Sequence, residues 1–115
     1  MEAKQDRKAA IREYKEHKVE RGIFALRCAA TGRVWVELAP NLGSAGNAEL
    51  FQLRLGAHRN PELQAEWNAQ GEAAFTFEVL ERLDEDVAPA AVKDLLKERK
   101  AHWMAALGAG RVSPR

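Results

Sequence analysis

The stretch that decides the fold is GIFALRCAATGRVWVEL, residues 22–38. Phe24, Leu26 and Cys28 alternate with side chains that point the other way, and a second short run, RVWVEL, follows Thr31-Gly32. Side chains that alternate with a period of two are typical of strands, and a glycine-containing pair between two such runs is typical of a turn. The stretch therefore predicts a β-hairpin.

Helices are predicted on both sides of the hairpin. Residues 1–21 are rich in Lys, Glu, Arg and Ala, and only Ile11, Tyr14 and Val19 supply an apolar stripe, which predicts an N-terminal helix that packs weakly. The segment NLGSAGNAELFQLRLG, residues 41–56, contains three glycines. We therefore expect a loose or ligand-facing first half, and a regular helix only in the second half.

The second half of the chain adds a strand between two helices. Asn60 and Pro61 predict a helix start and Gly71 predicts its end, whereas AFTFEVLERL places alternate large side chains on one face of a third strand. Helical spacing of apolar residues continues over 90–107, and the tail, 108–115, is predicted to be disordered. The fold class is α/β (α+β), a small sheet covered by helices.

Composition restricts the class of protein. A chain of 115 residues forms one domain, and 46% apolar with 30% charged residues is typical of a globular protein. Because there is no hydrophobic signal segment and no apolar run near the roughly 20 residues of a membrane helix, we expect a cytoplasmic location and no membrane partner. Cys28 has no second cysteine to pair with. The oligomeric state is left open.

Charge is distributed unevenly, although the net charge is only +1. Residues 60–86 carry one Lys or Arg against eight Asp or Glu, whereas 1–21, 22–59 and 87–115 each carry an excess of basic residues. The three basic segments either converge on one face that binds a polyanion or form ordinary solvated surfaces of mixed charge.

Two short motifs and several longer ones carry a resemblance. Gly22-Ile23-Phe24 and Trp35-Val36-Glu37 are separated by ten residues, and PNL, FQL, LGAHRNPELQAEW and FTFEVLERL follow in order. In this arrangement the chain resembles small bacterial single-domain proteins of the GIY-YIG nuclease family over roughly residues 11–107. The resemblance implies a GIY-YIG-like domain at 22–107, with a three-stranded, mainly antiparallel sheet and a metal-dependent phosphodiesterase site on its surface.

The resemblance also identifies the positions that would carry the chemistry. They are occupied here by Phe24, Trp35, Glu37, Ala45, Glu49 and Lys100. The two tyrosines that orient and deprotonate the attacking water fall on the first two of these. A phenyl ring has no hydroxyl and an indole nitrogen is a donor only, so neither can act as a base.

At the remaining positions the charge of the side chain differs from that of the family. Glu37 stands where the family has the glycine that ends its second motif, and Ala45 replaces the arginine that holds the phosphate. Glu49 replaces the histidine of the same helix, and Lys100 replaces the glutamate that binds Mg²⁺ or Mn²⁺. Removing one electrostatic group of this kind commonly costs two or three orders of magnitude in rate. The sequence therefore predicts no confident catalytic residue, no metal ligand and no cofactor, with Mg²⁺ or Mn²⁺ required only if nuclease activity is retained.

Several alternatives remain open at this stage. Glu98 lies two residues from the metal position, but a shift of two turns a helical side chain by about 200°, which makes it a poor substitute. Glu98 and His102 have the spacing of two metal ligands on a helix, although only two ligands are evident and the pattern favours exposed helix side chains. Glu37 and Glu49 form either a carboxylate pair or two unrelated surface charges. His58 is expected to be a loop or capping residue, and a catalytic base is the alternative. Phe24 and Trp35 either stack a nucleobase or fill a disused cleft.

Three functions follow from these observations. The first is a catalytically degenerate module that binds nucleic acid, with DNA as the candidate ligand. The second is a weak metal-dependent endonuclease with a rearranged site. The third is a module that binds a protein partner through its acidic segment, residues 62–86. The basic residues expected to contact a nucleic-acid backbone are Arg7, Lys8, Arg12, Arg54, Arg59, Lys97 and Lys100.

Overall fold

Four strands form one sheet in the computed structural model, which describes residues 19–112. They are β1 (Gly22–Cys28), β2 (Val34–Ala39), β3 (Phe75–Arg82) and β4 (Gly110–Arg111), in the spatial order β3-β1-β2-β4. β1 runs antiparallel to both neighbours, whereas β4 is parallel to β2. The α+β class is confirmed, and the sheet differs from the expected three strands by the short β4.

The predicted hairpin is confirmed, with Phe24 opposite Glu37 and Leu26 opposite Trp35. The turn closes through a 2.7 Å bond from the Gly32 amide to the carbonyl of residue 28, and Gly32 has a φ of +76° that favours glycine. At the other end of β1, a side chain in place of Gly22 would collide with the carbonyl oxygen of Glu81.

Each face of the sheet is covered by a different set of helices. Two helices, α1 (Leu42–Leu55) and α2 (Pro61–Gln70), pack on the face that carries Phe24, Leu26 and Trp35. The opposite face carries Ile23, Ala25 and Val36, and it is covered by α3 (Pro89–Leu107) through Leu96 and Trp103. The two cores follow from the period of two along β1 and β2.

The helix α1 is regular from its first residue, so the prediction of a loose first half is wrong. Asn41 begins it as an N-cap, and its side-chain oxygen accepts a 3.0 Å bond from the Gly43 amide. Gly46 lies against the ring of Phe77, where an added Cβ would come within 3.3 Å of a ring carbon. This glycine therefore serves close packing rather than flexibility.

Asn60 begins α2 as predicted, and its side chain also reaches a second element. Its Oδ1 accepts from the amides of Glu62 and Leu63 at 3.0 and 3.1 Å. Its Nδ2 donates to the carbonyl oxygens of Arg111 and Val112 at 2.8 and 3.0 Å. One buried amide thus caps a helix and holds the end of the sheet.

The C-terminal segment differs from the prediction of a disordered tail over 108–115. Gly110–Arg111 pair with β2, and the Val112 amide donates to the carbonyl of Val36 at 3.2 Å. The side chain of Val112 is fully buried in the core beneath α1 and α2. These contacts join residues far apart in the sequence, so the composition of the segment alone could not predict them.

The predicted N-terminal helix over 1–21 lies outside the described residues except for 19–21, which are not helical. Here the chain approaches α1, since the Leu42 amide donates to the carbonyl of Glu20 at 2.7 Å. Within residues 19–112, no helix combines the length and apolar character that crossing a bilayer requires.

Asn60→Ala is expected to lower the free energy of unfolding by about 2–3 kcal/mol, because it removes a helix cap and leaves buried carbonyls without their donor. Asn41→Ala is the matched control, since this residue caps α1 in an exposed position and its loss should cost about 0.5–1 kcal/mol. Urea unfolding of both variants measures the difference. Equal losses would contradict the role of Asn60 in holding β4.

Candidate functional site

A shallow depression of about 290 Å³ lies where the start of β1 and the end of β2 meet the first half of α1. Phe24 and Glu37 contribute from the strands, and Ser44, Ala45 and Glu49 from the helix. The loop between α1 and α2 adds a cation, Arg59, and the remaining wall is formed by residues 38–41. The depression is therefore built by the hairpin register and by the start of α1 at Asn41.

The structure brings together most of the six positions identified from the sequence. Phe24, Glu37, Ala45 and Glu49 all line the depression. Lys100 projects from α3 and reaches Glu37. The sixth position, Trp35, lies deeper in the core, where its ring packs 6.2 Å from that of Phe75 and beneath the Arg33 guanidinium at 4.7 Å.

The ion pair between Glu37 and Lys100 closes one side of the site. The Lys100 Nζ lies 3.1 and 3.0 Å from the two carboxylate oxygens, and the side chains are only 11% and 14% exposed for Glu37 and Lys100 respectively. β4 pairs with Trp35 and Val36 only, so β2 is at the sheet edge where Glu37 stands. A tethered ammonium thus neutralises the carboxylate there.

A second carboxylate, Glu49, is held by a buried histidine. The His58 Nε2 lies 2.5 Å from a Glu49 oxygen, and the His58 side chain is fully buried. The other ring nitrogen, Nδ1, accepts a 3.0 Å hydrogen bond from the backbone N–H of Asn60. An acceptor at Nδ1 requires that Nε2 carries the proton and donates to Glu49.

This hydrogen bonding decides between the two roles considered for His58. Both ring nitrogens are occupied within the protein, and water has no access to the ring. A general base must reach the proton of an attacking water. His58 is therefore a structural residue of the loop, and it positions Glu49.

Arg59 supplies a cation that reaches the depression. Its guanidinium contacts Glu49 at 3.4 Å and Gln52 at 3.2 Å, and the side chain remains 43% exposed. Burial raises the pKa of Glu49, but the bond from His58 and the charge of Arg59 outweigh it and hold that pKa below its ordinary value. The Glu49 carboxylate is therefore ionised at neutral pH, and it orients Arg59.

The two carboxylates accordingly do not share a proton or a cation site. Glu37 is paired with Lys100, and Glu49 with His58 and Arg59. Each negative charge at the depression has its own cationic or donor partner. Within residues 19–112 there is no cluster of three or more His, Cys, Asp or Glu side chains that could hold a metal ion.

The aromatic positions favour filling of the cleft over stacking of a base. Phe24 and Trp35 are each 1% exposed. The Phe24 ring stacks on Phe77 with centroids 5.0 Å apart. A nucleobase needs an exposed ring face, which neither residue provides.

The basic residues named from the sequence do not form one cluster in the described part of the chain. Arg54 pairs with Glu72 at 3.0 and 2.5 Å on the surface, and Lys97 is exposed on α3, on the other side of the sheet. Lys100 is occupied by Glu37. Arg59 lines the depression, and the remaining three, Arg7, Lys8 and Arg12, lie outside the described residues.

Sequence reasoning named His58 and Arg59 but missed that both contact Glu49. His58 and Arg59 stand nine and ten residues after it, a separation at which local periodicity carries no information. The available signal was the position of His58 and Arg59 immediately before the Asn60 cap. A loop that ends in a buried cap must fold back on the preceding helix, which brings its side chains to α1.

The Glu37–Lys100 pair should show a coupling energy of about 1–3 kcal/mol in a double-mutant cycle of Glu37→Gln and Lys100→Met, because both side chains are largely buried. Lys97→Met is the matched control, an exposed lysine one turn earlier on the same helix. Chemical denaturation measures the free energy of unfolding of each variant. A coupling below about 0.5 kcal/mol, or equal effects at residues 97 and 100, would contradict the pair's importance.

Comparison with known proteins gives two solved structures and no sequence match. No protein-family model and no curated protein sequence matches the chain. The solved structures are both of the catalytic domain of the intron and homing endonuclease I-TevI, one of them a point mutant. They align with a TM-score of 0.68 at 22% and 24% identity, covering 84% and 83% of this chain and 96% and 98% of theirs. The chain therefore has the fold of GIY-YIG nuclease domains.

Proposed function

We propose that this GIY-YIG-like domain has lost phosphodiester hydrolysis and binds the backbone of a nucleic acid, with DNA as the expected ligand. The observation that carries the proposal is the ion pair of Lys100 with Glu37. The resemblance assigns a metal-binding carboxylate to position 100, where this chain has an ammonium group bonded to a neighbouring carboxylate.

The groups around the depression support the loss of hydrolysis. Hydrolysis needs a base to accept a proton from water and a cation to stabilise the developing charge on the phosphate. Phe24 has no titratable group, and His58 uses both ring nitrogens within the protein. Glu37 and Glu49 are held by cations and donors of the protein itself. Among these residues the depression therefore offers no free base to a bound phosphodiester, and the carboxylates that could hold a metal ion are already engaged.

Binding is supported by what remains exposed. Arg59 is held at the wall of the depression with nearly half of its side chain in solvent, and guanidinium groups suit phosphate oxygens well. The structurally similar proteins are endonucleases by name, and their substrates are nucleic acids. The likeness of fold to these endonucleases, together with an exposed arginine at the depression, supports binding of a nucleic-acid backbone.

A protein partner bound through the acidic segment 62–86 has less support. Most carboxylates of this segment are already paired with arginines of neighbouring elements. Examples are Glu78 with Arg27 and Glu81 with Arg99. Few of its charges are therefore left to select a basic partner, and the nucleic-acid hypothesis is the one we pursue.

The proposal predicts salt-dependent binding to DNA in which Arg59 takes part. Arg59→Gln should weaken binding and reduce the slope of log affinity against log salt concentration by about 0.9, the value for one lost phosphate contact. Fluorescence anisotropy with duplex and branched DNA at several salt concentrations measures both quantities.

Arg82→Gln is the matched control, because Arg82 of β3 is an exposed arginine with a carboxylate partner, Glu20, and lies outside the depression. It should leave the affinity within about twofold. Binding that is absent, or that does not change with salt, would contradict the nucleic-acid role. Equal effects of the two substitutions would contradict the assignment of the depression as the binding site.

A further inference from the structure

A short segment after α3 runs along the edge of β2 and joins the two cores of the protein. Ala109 packs against the core that α3 covers, and β4 then pairs with β2. The next residue, Val112, is fully buried in the core beneath α1 and α2. We call residues 109–112 the strap. Because β4 has only two residues, the strap depends for its attachment on the Val112 side chain and on the bonds from Asn60.

A chain of hydrogen bonds joins the strap to the depression. The Asn60 side chain donates to the carbonyl oxygens of the last two strap residues at 2.8 and 3.0 Å. The backbone N–H of Asn60 donates to the His58 ring at 3.0 Å, and the opposite ring nitrogen bonds one oxygen of Glu49. The other oxygen of Glu49 contacts the Arg59 guanidinium at 3.4 Å. The strap is thus four residues away from a cation that solvent can reach.

Arg59 owes its place to its neighbours in the chain. It is the exposed residue between His58 and Asn60, which are each 7% exposed. Its guanidinium contacts two side chains of α1, those of Glu49 and Gln52. The position of the arginine at the depression therefore depends on how firmly this loop is held against α1 and the strap.

We infer that the strap positions Arg59, with Asn60 and His58 as the positioning residues between them. When Val112 is seated, the loop is fixed and Arg59 is held at the wall of the depression. When the strap is detached, Asn60 loses two of its partners and the loop is free to move away from Glu49. Applied to binding, this inference rests on the proposed function, because it makes the affinity for phosphate depend on the strap. By reciprocity, a ligand that binds Arg59 stabilises the seated strap.

The pKa of the Glu49 carboxyl tests the positioning without any ligand. His58 and Arg59 hold that pKa below its ordinary value, so loss of their contacts should raise it. Val112→Ser removes the apolar anchor of the strap. Asn60→Ser keeps an oxygen that caps α2 but lacks the amide nitrogen that binds the strap. An NMR titration of Glu49 should give a higher pKa in both variants than in the unsubstituted protein.

Val92→Ser is the matched control, because it makes the same change at a valine that packs on the opposite core. Val92 stands 15 residues before Leu107, or about 22 Å along α3 from the end that leads into the strap. It should leave the pKa of Glu49 unchanged. Protection of the β1 amides from hydrogen exchange verifies that each variant is folded, and Asn60→Ser decides alone if Val112→Ser does not fold. An unchanged pKa in the strap variants, or an equal rise in the control, would overturn the inference.

The affinity for DNA separates this inference from the proposed function. Val112→Ser should weaken binding about fivefold in the unsubstituted protein but less than about twofold when Arg59 is already glutamine. The loss is partial because Gln52 still contacts the arginine. Equal losses in the two backgrounds would overturn the coupling of the strap to Arg59. Absence of DNA binding in every variant would contradict the proposed function alone, and the titration of Glu49 would still decide whether the strap positions Arg59.

Discussion

The buried hydrogen bonds of Asn60 and His58 are the constraint on which the rest of the site depends. Asn60 caps α2 with its oxygen and binds the two carbonyls at the end of β4 with its nitrogen. The backbone N–H of Asn60 donates to the His58 ring, which in turn holds Glu49 of α1. Both helices on this face and the last strand are therefore fixed by one junction. Such a network is stabilising only when every buried member is paired, and the hydrogen bonds of Asn60 and His58 satisfy this requirement here.

The depression is best understood through the charges that surround it. Arg59 is oriented by Glu49, which is ionised because His58 and Arg59 stabilise its charge. Across the depression, Lys100 neutralises Glu37 at the sheet edge. A carboxylate at position 37 repels phosphate when it stands alone, and pairing with an ammonium removes this repulsion. The negative charge of Glu37 and the positive charge of Lys100 thus compensate one another in this fold, a relation that neither residue suggests by itself.

Local patterns predicted the parts of the fold that depend on neighbouring residues. The alternation in residues 22–38 predicted the hairpin, and Asn60 with Pro61 predicted the start of α2, because strands and caps are recognised over a few positions. Glycine at position 46 misled the prediction for α1, since its role is contact with Phe77, 31 residues away. The strand β4 and the bond from His58 to Glu49 were missed because both depend on the folded chain bringing separate segments together.

We infer that the domain binds nucleic acid without cutting it, because Lys100, paired with Glu37, stands where the resemblance places the metal-binding glutamate. The most direct measurement is nicking of supercoiled plasmid in the presence of Mg²⁺ or Mn²⁺, with the double variant Glu37→Ala, Glu98→Ala as the control. The account predicts no metal-dependent nicking above that of the double variant. Nicking that requires the metal and disappears in the double variant would contradict it and would establish a rearranged nuclease site.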